Sequence, residues 1–148
     1  MDANELIARY ATGERDFRGA ALKGVNLAHE NLKEINLRQA NLTGANLSYT
    51  NLEGVNLREA VLTEASLISA QMELANLIGA DLTAADLTNA TLKEAGVRGA
   101  NLTKALLKGS DLENANLNEA ILDKALLQQA NLSESSLNRC HFVDADLS

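Results

Sequence analysis

The sequence has no proline and no tryptophan, a single cysteine (Cys140), and only 3% aromatic residues. Without proline, and with nine glycines in 148 residues, it reads neither as a proline-rich linker nor as a flexible low-complexity segment. So few aromatics cannot build a conventional globular core, yet the hydrophobic share is an ordinary 46%, so burial falls to leucine and alanine. One cysteine excludes an internal disulfide and suits a reducing compartment. No apolar run approaches the roughly 20 residues of a membrane span, and the opening MDANELIARY carries acids where a secretory signal carries Lys or Arg. The expected location is the cytoplasm. Clustered bases are also missing. With a formal charge of -7, direct binding to nucleic acid or to an anionic membrane is disfavoured, while a basic partner is permitted but not demanded.

What is present is a period. Every fifth residue from Phe17 to Leu147 is apolar, 27 positions without a break, all leucine except Phe17, Met72, Val97 and Phe142. Two residues earlier the position is usually Ala, and between the two stands Asn or Asp, giving A-N/D-L-x-x, as in ANLTG at 40–44 and ADLTA at 80–84. On an α-helix a step of five turns by about 140°, which smears the leucines around the cylinder. In an extended strand a step of five reverses the face each time. A short strand followed by a corner resolves the conflict: Ala and Leu point inward, Asn points outward, and two further residues turn the chain so that the next Leu faces inward again. Seven glycines, Gly44 among them, fall on the second residue after the apolar centre, where a tight turn asks for positive φ. Asn or Asp beside the turn can bond neighbouring backbone groups.

These tandem A-(D/N)-L-x-x units resemble the pentapeptide repeat family over residues 15–148, and a short helix followed by GERDF resembles the N-termini of cyanobacterial members. The resemblance implies an all-β solenoid: a right-handed quadrilateral parallel β-helix with four pentapeptides per coil, about 7 coils, and a rod roughly 30 Å long. Residues 1–14 break the period and read as a capping α-helix, with Asp2 and Glu5 as a capping box, Leu6 and Tyr10 one turn apart, and Gly13 as the stop. The helix is expected to cover the exposed strand edges of the first coil. The repeats run on to Leu147, so the C-terminal end is expected to be protected by self-association, as similar family members are. Glu30 and Thr50 take inward positions 20 residues apart and are expected to stack in adjacent coils, with Glu30 bonded to Thr50 or to the helix near Tyr10.

Residues 20 apart form columns on the surface. One column reads Arg18, Arg38, Arg58, Ile78, Arg98, a broken basic stripe open to an anionic partner or balanced by neighbours such as Asp16 and Glu59. Another, Thr43, Thr63, Thr83, Thr103, resembles an ice-binding file but is a single file, as ordinary β-surface packing gives. The outward positions Val61, Leu106, Ile121 and Leu126 are apolar, and the last three gather near the C-terminal end as a candidate contact surface. Nothing suggests catalysis, a cofactor or a metal site. Strand alternation sends Cys140 inward and His141 outward, and no glycine-rich phosphate loop or nucleophile with a base is present. The expected function is a non-enzymatic interaction module with an unknown protein partner. The alternative is a DNA mimic that binds DNA gyrase, as acidic rods of this family do. Five acids and no base between Arg58 and Lys93 favour mimicry, but they are spread over five columns, whereas a duplex mimic should concentrate charge on a face.

Overall fold

The computed structural model describes all residues 1–148. The pentapeptide Ala80–Ala84 shows how each unit is held. Ala80 and Leu82 are buried at 1% and 0% exposure, while Asp81 faces out and pairs in parallel with Val61 below and Asn101 above. The Asp81 amide donates to the Ala60 carbonyl (2.9 Å) and the Leu82 amide to the Asn101 carbonyl (2.7 Å), so one residue pair reaches both neighbouring coils. The turn follows at once, with the Ala85 amide donating to the Leu82 carbonyl (3.0 Å) and Ala84 at φ +58°, as in a type II turn. An Asp81 carboxylate oxygen accepts from the Thr83 amide and hydroxyl (3.0 and 2.7 Å), securing the first turn residue.

Repetition of this unit builds the right-handed quadrilateral β-helix. Each parallel bridge joins residues 20 apart, from Asp16 with Asn36 to Leu126 with Asp146, so one coil is four pentapeptides. Four walls result, each named here by its inward residues. Wall 1 carries Phe17, Leu37, Leu57, Leu77, Val97, Leu117 and Leu137, and walls 2, 3 and 4 begin at Leu22, Leu27 and Leu32. Pairing is limited to one bridging residue per wall per coil, because the turn begins two residues later. The inward residues, together with Leu6 of the N-terminal segment, form one continuous core of 42 buried side chains. Burying each aliphatic side chain stabilises by roughly 1.5–3 kcal/mol against about 1–2 kcal/mol of entropy per ordered residue, so a lone coil does not fold while a stack does.

The second turn residue is left-handed at every corner from Gly19 to Asp144, at glycine and non-glycine alike, including Tyr49 (+58°) and Leu74 (+61°). Glycine therefore marks a conformation that the ladder imposes everywhere. Each non-glycine corner carries a cost of about 1 kcal/mol that coil-to-coil pairing offsets.

The helix spans Ala3–Ala11. Half of the expected capping box forms: the Asp2 carboxylate accepts from the Glu5 amide (2.8 Å), but the Glu5 carboxylate lies 3.5 Å from Arg9 instead of turning back. Leu6, fully buried, joins the same core as Phe17 and Leu22 of the first coil. The polar groups of this segment stand in for a missing coil. In the ladder, the Ala21 and Lys33 carbonyls occupy sites that accept from the coil before. Here Ala21 accepts from the amino group of Met1 (3.3 Å) and Lys33 from the Tyr10 hydroxyl (2.9 Å). The Arg15 guanidinium lies 3.7 Å from the centre of the Tyr10 ring and holds it down.

Candidate interaction surfaces

The basic stripe lies on the corner that follows wall 1, and carboxylates partner each of its arginines. Arg18 pairs with Asp16 at 2.8 Å, Arg98 with Glu119 at 2.9 Å, and Arg38 and Arg58 share Glu59 at 3.4 and 3.2 Å. Arg58 foremost, then the Gln39 amide and Arg38, hold the Glu59 carboxyl below the usual glutamate range. Asp16 is lowered in the same way by its bonds from Arg18. All these side chains are well exposed, so the pairs are weak and exchangeable.

The opposite edge of wall 1, the corner where wall 4 ends, is acidic from one end of the rod to the other. Glu34, Glu53, Glu73, Glu94, Glu113 and Glu134 follow it, with only Lys33 and Lys93 among them. Lys33 pairs with Glu53 (3.4 Å) and Lys93 with Glu113 (3.2 Å). A linear reading of residues 58–93 misses this ridge, because it arises from two adjacent columns whose members recur every 20 residues. The acids of that short stretch are dispersed as expected, while those of the whole chain are concentrated.

The apolar cluster forms near the C-terminal end. Leu106 and Leu126 bridge each other on wall 3 and stay 37% and 38% exposed. With Thr88, Lys108 and Gln128 they line a shallow groove of ≈ 540 Å³. Ile121 is half-buried on wall 2, one corner away, and lines no part of it. Val61 stands apart on wall 2, 37% exposed. In the last coil the inward pattern no longer buries: Leu137 is 36% exposed and Leu147 56%, and the turn residue Val143 is 62% exposed.

Two irregularities resolve without a site. Thr50 is fully buried and its hydroxyl donates to the Leu27 carbonyl (2.9 Å), not to Glu30. Glu30 is half-exposed in the first coil, and its carboxylate bonds neither Thr50 nor Tyr10, whose hydroxyl goes to Lys33. The expected Glu30–Thr50 pair thus does not form: the acid stays half-exposed and the alcohol turns to a backbone carbonyl. Cys140 faces inward, its thiol donating to the Leu117 carbonyl (2.7 Å) and raised in pKa chiefly by burial, while His141 is exposed. Along the threonine file, Thr43, Thr83 and Thr103 each turn the hydroxyl back to the Asn or Asp two residues earlier (2.6–2.7 Å), consistent with a role in the wall itself.

A rod of stacked pentapeptide coils with solid walls is a presenting surface by construction. Eight copies of the family described as Pentapeptide repeats match between residues 16 and 148, the first over 16–54 and the last over 110–148. The chain belongs to the pentapeptide repeat family. Among solved structures, the pentapeptide repeat protein alr5209 of Nostoc PCC 7120 is 36% identical over 68% of this chain and 80% of its own, with a TM-score of 0.64. HetL, a pentapeptide repeat protein involved in heterocyst differentiation regulation in Nostoc sp. PCC 7120, is 24% identical over 99% of this chain and 94% of its own, with a TM-score of 0.56. QnrB1, a plasmid-mediated fluoroquinolone resistance protein, is 18% identical over 90% of this chain and 72% of its own, with a TM-score of 0.67. The last two likenesses are of fold alone. No curated protein sequence matches the chain. No helix is long and apolar enough to cross a membrane.

Proposed function

We propose that this protein is a non-enzymatic, cytoplasmic interaction module that acts by presenting its walls to protein partners, and that its last coil is a docking end for a second copy. The observation that carries the reading is the contrast between the ends. At the first coil, Leu6 and the donors of the N-terminal segment close the core and the ladder; at the last, Leu137, Val143 and Leu147 face water. Apolar surface of this kind at an open strand edge favours association. Sedimentation at about 10 µM should show a dimer, and Leu147→Asp should shift it to monomer. A wild-type monomer at that concentration would count against the docking end.

The acidic ridge favours a second reading, in which the rod imitates a nucleic acid duplex toward DNA gyrase, since its glutamates follow one corner over the whole length. The arginine corner one wall away opposes it. A gyrase supercoiling assay decides: inhibition at low micromolar rod supports mimicry, and unchanged supercoiling removes it.

A further inference from the structure

Wall 1 lies between the two charged corners, and beyond Asp16 its outward column, Asn36, Asn56, Asn76, Gly96, Asn116 and Ser136, is uncharged. The two edges are opposite in net charge. Across the wall from Glu34, which has Lys33 beside it, stands Arg38; across from Glu53 stands Arg58, which has Glu59 beside it; and across from Glu94, which has Lys93 beside it, stands Arg98. At the level between the last two, the acidic corner carries Leu74 beside Glu73, and the arginine corner carries Ile78. Each corner thus carries an apolar residue at one height. The asparagine column then breaks one coil higher: a Cβ on Gly96 would meet Ile78 at 3.8 Å, so Ile78 lies over the wall rather than away from it. Leu74 is 56% exposed. None of these outward positions is set by the core. Glu34, Glu73, Glu94 and Glu134 make no ion pair within the chain.

We propose that wall 1 is the contact face of a parallel, side-by-side pair of this chain, related by a two-fold axis along the rods. Such an axis sets the acidic edge of each copy against the arginine edge of the other at the same height, and it brings Leu74 of one copy to Ile78 of the second. An antiparallel pair would oppose glutamate to glutamate, so the charge pattern selects direction as well as face. The intramolecular pairs of the arginines with Glu59 and Glu119 are exposed and give way to intermolecular ones. This contact is separate from docking at the last coil: it is polar and screened by salt, and it places the two helices side by side.

The test is a charge exchange on exposed corner positions. One variant carries Arg38→Glu, Arg58→Glu and Arg98→Glu, making both edges acidic; the other carries Glu34→Arg, Glu53→Arg and Glu94→Arg, making both basic. In about 0.05 M salt the wild-type rod should pair side by side and separate at about 1 M. Each variant alone should lose that pairing, and an equimolar mixture should regain it. Spin labels at position 4 (Asn4→Cys in a Cys140→Ser background) should fall within about 30 Å in this pair, against about 60 Å for rods joined at their last coils. Leu74→Glu should weaken the pairing at least tenfold. The proposal is overturned if wild-type rods show no short label distance at about 1 mM, if either charge variant pairs as the wild type does, or if the mixture stays separate.

Discussion

Leu82→Lys is expected to abolish the cooperative unfolding transition of the rod. Leu82 is fully buried on wall 2, stacked between Leu62 and Leu102 in the middle coils. Truncating such a residue costs about 2–5 kcal/mol, and an ammonium group held in the same space adds an unpaired charge among aliphatic side chains. Together these rival the roughly 5–15 kcal/mol that stabilise a whole domain. The position matters as much as the chemistry. Each coil contacts only the coils beside it, so a defect in the middle divides the stack into two short arrays, each with a freshly opened end. Thermal circular dichroism should show the sharp transition replaced by a broad one beginning at least 20 °C lower, on the order expected from such a loss. Unchanged melting would mean that Leu82 does not point inward.

Leu6→Asp should produce the next largest effect, confined to one end. Leu6 is the single fully buried residue of the helix, and its placement brings Tyr10 to the Lys33 carbonyl and the Met1 amino group to Ala21. A carboxylate there loses about 3 kcal/mol or more of burial and packing, and it detaches donors that close the first coil. Nearest-neighbour coupling predicts a graded outcome in hydrogen exchange. Amides such as those of Leu27 and Ile35 should lose most of their protection, while those of Leu102 and Leu107 keep theirs. Equal loss throughout would show that the rod unfolds as one unit from its N-terminal end. No loss in the first coil would show that the helix does not hold it.

The architecture was legible in the sequence because one period fits one geometry. Neither helix nor strand places every fifth residue on one side, and the only chain that does so must bend between repeats. The N-terminal helix was legible from Asp2, Leu6 and Gly13 for ordinary reasons of capping and periodicity. The left-handed corners were readable only at glycine. At Leu74 or Tyr49 no local preference announces positive φ, because the ladder to the next coil imposes it. Glu30 misled for a related reason: an inward register implies burial only where coils lie on both sides, and in the first coil a long side chain reaches water. The acidic ridge was hidden by reading along the chain. Glu53 and Glu73 are neighbours in space and 20 apart in sequence, and the ridge needs a second column, with Glu34 and Glu94, to become continuous. The arginine column was legible together with two of its partners, Asp16 and Glu59, while Glu119, which pairs with Arg98 from one coil above, was not.

The corner chemistry has one more consequence. Side chains 20 residues apart are carried on backbone groups bonded directly to one another, with no hinge between them, so their separation is locked at about 4.8 Å per coil. The rod is in that sense a graduated ruler. A molecule that grips two of its marks at once measures a fixed distance along it, and choosing which marks are charged and which are greasy sets the distance without altering the rule.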